Sequence, residues 1–133
     1  MEPYKKTASL LWKTSVRAAA KASNVDNMPK NVNTLLVANR GEIALRVVRT
    51  ARELGIPTVA VYAEQDRHAQ YVQMADDAYL LSGDTYKDTY LNEDLLIDIL
   101  HRSGADAVHP GYGFLSEVAS FAQKVIDAGA TWV

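Results

Sequence analysis

There is no cysteine among the 133 residues, which removes disulfides, a thiolate nucleophile and cysteine-ligated zinc from the available chemistry. Long apolar runs are missing too. Nothing approaches the roughly 18–20 residues that cross a bilayer as a helix, so no membrane association is expected. A large charge of one sign is also lacking, the formal net charge being −2. That small value hides an asymmetry: residues 1–32 carry six Lys or Arg against Glu2 and Asp26, whereas residues 33–133 carry eight against fourteen acids. An acidic body has no basic stripe with which to displace counterions, and nucleic acid is not an expected partner. Absent as well are a Walker loop, a nucleophile elbow and the three glycines of a dinucleotide fingerprint. His68 and His101 have no metal-ligand spacing to each other or to acids, and no metal site is expected.

What is present suits a folded soluble domain. Hydrophobic residues make up 48% and charged residues 23%, enough apolar material for one core and unlike a disordered chain. Residues 1–32 read as a basic N-terminal extension and linker. "TASLLWKTSVRAAAKASN" sets Leu11, Ser15 and Ala18 on one face and Lys13, Arg17 and Lys21 on another, a weak basic amphipathic helix. The absence of cysteine fits a cytoplasmic location, or a mitochondrial one if the basic segment is a transit peptide.

From Thr34 onward short apolar runs alternate with helical periods. "TLLVA" (34–38), "TVAVY" (58–62), "DAYLL" (77–81), "ADAVH" (105–109) and "TWV" (131–133) read as strands. Between them, 41–54 carries Ile43, Val47, Ala51 and Leu54 in one stripe, with Gly55 and Pro57 to end it. A second helix starts at Asn92, a good N-cap with Glu93 and Asp94 behind it. A third spans 116–129 with Ser116 as its cap, and 71–74 is ambiguous. Such alternation implies βαβ units and a Rossmann-like, doubly wound parallel sheet of about five strands. The chain stops inside an apolar run, as a domain cut from a longer protein would.

In open sheets of this kind ligands bind beyond the carboxyl ends of the strands, where strand order reverses. Two loops qualify by position. "ANRGE" (38–42) offers a phosphate only Gly41 and a helix start, or it is a plain turn with Asn39 or Arg40 bonded to nearby backbone. "HPGYGFLSE" (109–117) is richer. Pro110 ends the strand, Gly111 and Gly113 allow torsions closed to other residues, and Tyr112 between them carries a stacking face and a hydroxyl. The chemistry of the residues leaves ligand contact and simple loop packing open. His109 reads as a structural histidine. Asp76 and Asp77 are adjacent, so they cannot face each other across a site, and they read as a solvated loop. Arg49 and Glu53, at i, i+4, read as a surface pair worth about 0.3–0.5 kcal/mol.

Taken together, "LLVANRGEIALRVVRTARELGIPTVAVY" and, some fifty residues later, "GADAVHPGYGFLSE" resemble the N-terminal, pre-ATP-grasp domain of biotin carboxylase over residues 33–133. The stretch "ARELGIPTVAVYAEQDRHAQYVQMADDAYLL" is most similar to the bacterial acyl-CoA carboxylase subunits, with pyruvate carboxylase as the alternative. The resemblance implies a ligase that uses MgATP and bicarbonate to carboxylate biotin on a carrier domain. It also implies that the ATP-grasp and C-terminal lobes, which hold the catalytic groups, lie outside these residues, so that this chain alone is inactive and binds none of these ligands tightly. A carboxyltransferase component would complete the set of partners. Carried over residue by residue, Tyr112 and the backbone of Gly113 would line the biotin pocket, and Arg49 and Glu53 would lie at a homodimer interface. A non-catalytic binding or dimerisation module is the rival from another class.

Overall fold

The computed structural model describes residues 32–133. Five strands, β1 (Leu35–Val37), β2 (Thr58–Ala63), β3 (Asp77–Leu81), β4 (Ala107–His109) and β5 (Thr131–Trp132), alternate with four helices. These are α1 (Gly41–Glu53), α2 (Gln70–Met74), α3 (Glu93–Ser103) and α4 (Ala119–Asp127), and a 3-10 turn at Glu64–Asp66 follows β2. The strands form one sheet in the order β3-β2-β1-β4-β5, with every neighbouring pair parallel.

Period-two alternation along the buried strands divides the interior into two layers. On one face Leu36, Val59, Val61, Leu81 and Val108 pack with Leu96 and Ile99 of α3 and Phe121 and Val125 of α4. On the other, Leu35, Val37, Ala60, Tyr62 and Ala107 pack with Ala44, Leu45 and Val48 of α1 and Tyr71 and Val72 of α2. Helices therefore cover both faces, as expected for a doubly wound sheet. The order reverses between β1 and β4, the two strands that launch the "ANRGE" and "HPGYGFLSE" loops.

Local chemistry explains most element ends. Gly55, at φ 74°, follows α1. Asn92 caps α3 by accepting the Leu95 N–H at 3.1 Å, and Gly104 closes that helix at φ 72°. The ambiguous 71–74 segment is α2. Elsewhere the structure corrects the sequence reading. Ser116 does not cap α4, which starts after Val118. Residues 113–118 wind into turns instead, with Ser116 N–H bonded to the Gly113 carbonyl and Val118 N–H to that of Leu115. Burial of Leu115 in the core fixes those turns before the helix can begin. β4 begins at Ala107 rather than Ala105: the Ala105 N–H turns back to Ser103 Oγ at 3.3 Å, and the Asp106 carboxylate accepts the Asn33 and Thr34 N–H groups at the start of β1. Asp76 and Asp77 are not a solvated loop: Asp76 accepts the Thr58 N–H at 2.8 Å, and Asp77 is the buried first residue of β3. The basic helix and linker expected before Val32 lie outside the described residues. Among the described residues no helix is long and apolar enough to cross a membrane.

Candidate functional site at the sheet switch point

Parallel pairing of β1 with β4 places Val37 beside His109, so the loops that leave these strands start side by side. Asn39 joins them. Its side chain is buried, and its Nδ2 donates to the Pro110 and Tyr112 carbonyls, both at 2.8 Å, while its Oδ1 accepts the Arg40 N–H at 2.8 Å. Gly111, between the two held carbonyls, sits at φ 68°. A Cβ there would lie 2.7 Å from Ile43 Cγ2 and 2.9 Å from Asn39 Nδ2, so only glycine lets the loop lie this close to α1. Gly113 and Phe114 also have positive φ, of 73° and 44°. Three left-handed residues in four fold the loop tightly and push Tyr112 out.

Tyr112 is 79% exposed, the most open large apolar side chain among the described residues. The neighbouring Gly113 N–H has no partner among the described residues. An open ring beside a free amide, at the reversal of strand order, can stack on a planar ligand and donate to its oxygen. His109 has the structural role expected of it. Its Nδ1 accepts the Gly111 N–H at 3.0 Å, and burial holds its pKa below the ordinary imidazole value. The neutral ring, with the proton on Nε2, braces the turn.

The sequence reading missed a second cluster. Arg40 reaches across to Asp66 with two hydrogen bonds, Nε to Oδ2 at 2.7 Å and Nη2 to Oδ1 at 2.6 Å. Asp66 Oδ2 also accepts the Tyr90 hydroxyl at 2.5 Å. Tyr90 in turn accepts the Ala63 N–H at 2.9 Å and lies 3.1 Å from the Tyr71 hydroxyl, which donates to the Val61 carbonyl. The Arg40 hydrogen bonds hold the Asp66 carboxyl below the usual range, against the opposing effect of burial. The Tyr90 phenol is pushed up to about 12, by burial first and then by Asp66. Tyr86 and Phe114 complete an aromatic rim, their ring centroids 5.3 Å apart. Arg40 and Asp66 are 26 positions apart, and no motif spacing links them.

Arg49 and Glu53 lie away from this site, exposed on α1. No ion pair links them among the described residues, so the surface pair expected from their spacing is not formed. Beside them, Arg46, Thr50, Leu54 and Ile56 line a groove of about 350 Å³ that reaches Leu35 and His109. Among the described residues no group of three or more His, Cys, Asp or Glu is placed to hold a metal ion.

Comparison with known proteins gives these features a context. The family model for the biotin carboxylase N-terminal domain matches residues 31–133. The biotin-dependent acyl-coenzyme A carboxylase alpha3 subunit of Mycobacterium leprae is 56% identical over 99 residues, covering 74% of this chain and 17% of that protein. Biotin carboxylase 1 of Bacillus subtilis is 50% identical over 102 residues, covering 77% of this chain and 23% of that protein. Among solved structures, the biotin carboxylase subunit of a pyruvate carboxylase superposes with a TM-score of 0.74 at 53% identity, covering 77% of this chain and 22% of that one. The dimeric biotin carboxylase domain of Hydrogenobacter thermophilus 2-oxoglutarate carboxylase, in complex with MgADP, ADP and bicarbonate, gives 0.74 at 47% identity, covering 78% of this chain and 23% of that one. The chain thus spans less than a quarter of the length of these relatives. By sequence, by sheet topology and by a family match that spans every described residue, this chain belongs to the biotin carboxylase N-terminal domain family.

Proposed function

We propose that this chain is the N-terminal lobe of the biotin carboxylase component of an acyl-CoA carboxylase, and that its part in the reaction is to form one wall of the biotin pocket. The single observation behind this reading is the exposed Tyr112 ring at the switch point beside the Gly113 N–H, which has no partner among the described residues. A bicyclic ureido group needs an apolar contact for its rings and a donor for its oxygen, and these two groups meet both needs. Biotin, when bound, supplies the ureido nitrogen that accepts the carboxyl group. The residues of this chain orient it and shield one side from water. ATP, Mg²⁺ and bicarbonate belong to the ATP-grasp and C-terminal lobes, and the final acceptor to a carboxyltransferase component.

The acyl-CoA reading over the pyruvate one draws on the Mycobacterium leprae relative, although a pyruvate carboxylase subunit is a comparably good structural match. Arg49 and Glu53, exposed and not paired with each other, are proposed to meet a second copy across a two-fold axis, in keeping with the dimer described for the 2-oxoglutarate carboxylase domain. Cytoplasmic and mitochondrial locations both fit, since mitochondrial relatives are known. Titration of the ¹⁵N-labelled chain with free biotin tests the pocket. The Tyr112 and Gly113 amide resonances should move while those of α3 stay fixed, and their failure to move would refute the pocket reading.

A further inference from the structure

Asn39 stands where the two switch-point loops meet, and all of its amide is used. Two acceptors face its Nδ2 and one donor faces its Oδ1. Only a primary amide presents two hydrogens on one side and an acceptor on the other: aspartate brings acceptors alone and serine a single hydrogen. Glutamine has the same head but one methylene too many for a side chain buried this deeply. The requirement therefore singles out Asn.

The carbonyls held by Asn39 have a further consequence for the free donor. The Tyr112 carbonyl and the Gly113 N–H belong to the same peptide unit, which is trans, and in a planar trans peptide the two groups point in opposite directions. Drawing the Tyr112 carbonyl inward to Asn39 thus turns the Gly113 N–H outward. The second held carbonyl, that of Pro110, stops the loop from pivoting about the first. Asn39 is itself anchored through its neighbour, because Arg40 gives its N–H to Oδ1 and its guanidinium to Asp66. A chain of fixed groups runs from the end of β2 through Arg40 and Asn39 to the loop after β4.

We infer that Asn39 is the positioning residue of this site: by clamping the Pro110 and Tyr112 carbonyls it aims the Gly113 N–H, and with it the Tyr112 ring, toward the ligand. This deepens the pocket reading and rests on it for the identity of the ligand as biotin. Asn39 touches no ligand and acts only through the loop.

Amide hydrogen exchange and biotin titration, both followed by NMR on the ¹⁵N-labelled chain, test the inference. Asn39→Asp keeps the shape and removes both donors, while Asn92→Ala removes the cap of α3, far from the loop, and serves as a control for lost stability. Gly111 and Ser116 report the loop, since their N–H groups are bonded within it, and Val61 in the middle of β2 reports global opening. With Asn39→Asp, exchange at Gly111 and Ser116 should rise at least ten-fold more than at Val61, and the biotin-induced shift at Gly113 should shrink at least three-fold. Asn92→Ala should speed all three amides in proportion and leave the biotin shift intact. Should Asn39→Asp not fold, Asn39→Ser, with one donor left, should give the same pattern at smaller amplitude. Proportional acceleration at Val61 and the loop in the Asn39 variants would reduce Asn39 to a stability role and overturn the inference. If the unsubstituted chain shows no biotin shift, the pocket reading fails, and the exchange ratio still decides whether Asn39 aims the loop.

Discussion

Among single residues, two titratable groups make the site lose stability on acidification, each in its own pH window. His109 is held neutral by burial, so the unfolded chain binds a proton more readily than the folded one. Stability is therefore expected to fall as pH drops below the ordinary imidazole value near ~6.5, and to level off once the folded His109 protonates. His109→Asn keeps an acceptor for the Gly111 N–H and cannot titrate. Urea midpoints measured between pH 7.5 and 5 should lose this slope in the variant; an unchanged slope would mean that His109 does not cause it. Asp66 acts in the same direction at lower pH. Its pKa is lowered by Arg40, so the stability it contributes is complete above the ordinary Asp value of about 3.9 and is lost as pH falls through the folded value. Asp66→Asn strands a partly buried guanidinium. The expected cost at pH 7 is about 2 kcal/mol, below the roughly 3–5 kcal/mol of a fully buried pair because the Arg40 side chain is 34% exposed. Equilibrium denaturation of the variant at pH 7 and pH 3 should show a smaller cost at the lower pH, and an equal cost at both would deny the carboxylate its charged role.

Among elements, the loop after β4 separates two kinds of glycine. Gly111 needs both its positive φ and its missing Cβ, whereas a Cβ on Gly113 would meet nothing within 4 Å. Gly113→Ala should cost only the left-handed strain, about 1 kcal/mol. Gly111→Ala adds a collision with Ile43 and Asn39 and should cost more than about 2 kcal/mol. Chemical denaturation of the two variants checks the order, and equal losses would contradict the close approach of loop to α1. The same loop shows why the start of α4 was misread. Ser116 is a good capping residue by type, but Leu115 beside it is drawn into the core, and long-range burial outweighs a cap worth about 1 kcal/mol. At Asn92 no such competitor exists, and the cap forms where the sequence placed it.

Over the whole molecule, the described residues form a five-stranded parallel sheet with helices on both faces, and on the reading proposed above they carry one wall of a biotin pocket while catalysis falls to lobes outside this chain. Purified chain given MgATP, bicarbonate and biotin is expected to release no phosphate above the blank. Turnover near that of a complete biotin carboxylase would overturn the assignment of catalysis to other lobes. Self-association belongs to this scale as well. Sedimentation should show a concentration-dependent dimer that Arg49→Glu weakens, and a monomer at every concentration, unaffected by the substitution, would remove the interface reading.

The elements and their order were legible in the chain before any folding, because buried parallel strands and amphipathic helices write their periods locally, and Gly55, Asn92 and Gly104 mark ends through contacts within a few residues. Tyr112 and Gly113 stood out for the same reason, since two glycines around an aromatic ring after a strand are a local signal. How that loop is held came from folding in three dimensions. The bonds from Asn39 to Pro110 and Tyr112 and from Arg40 to Asp66 join residues far apart in the chain, in the segments that follow β1, β4 and β2, which pairing brings side by side. Side-chain hydrogen bonds of that reach leave no periodic trace. They exist only once β1 lies between β2 and β4.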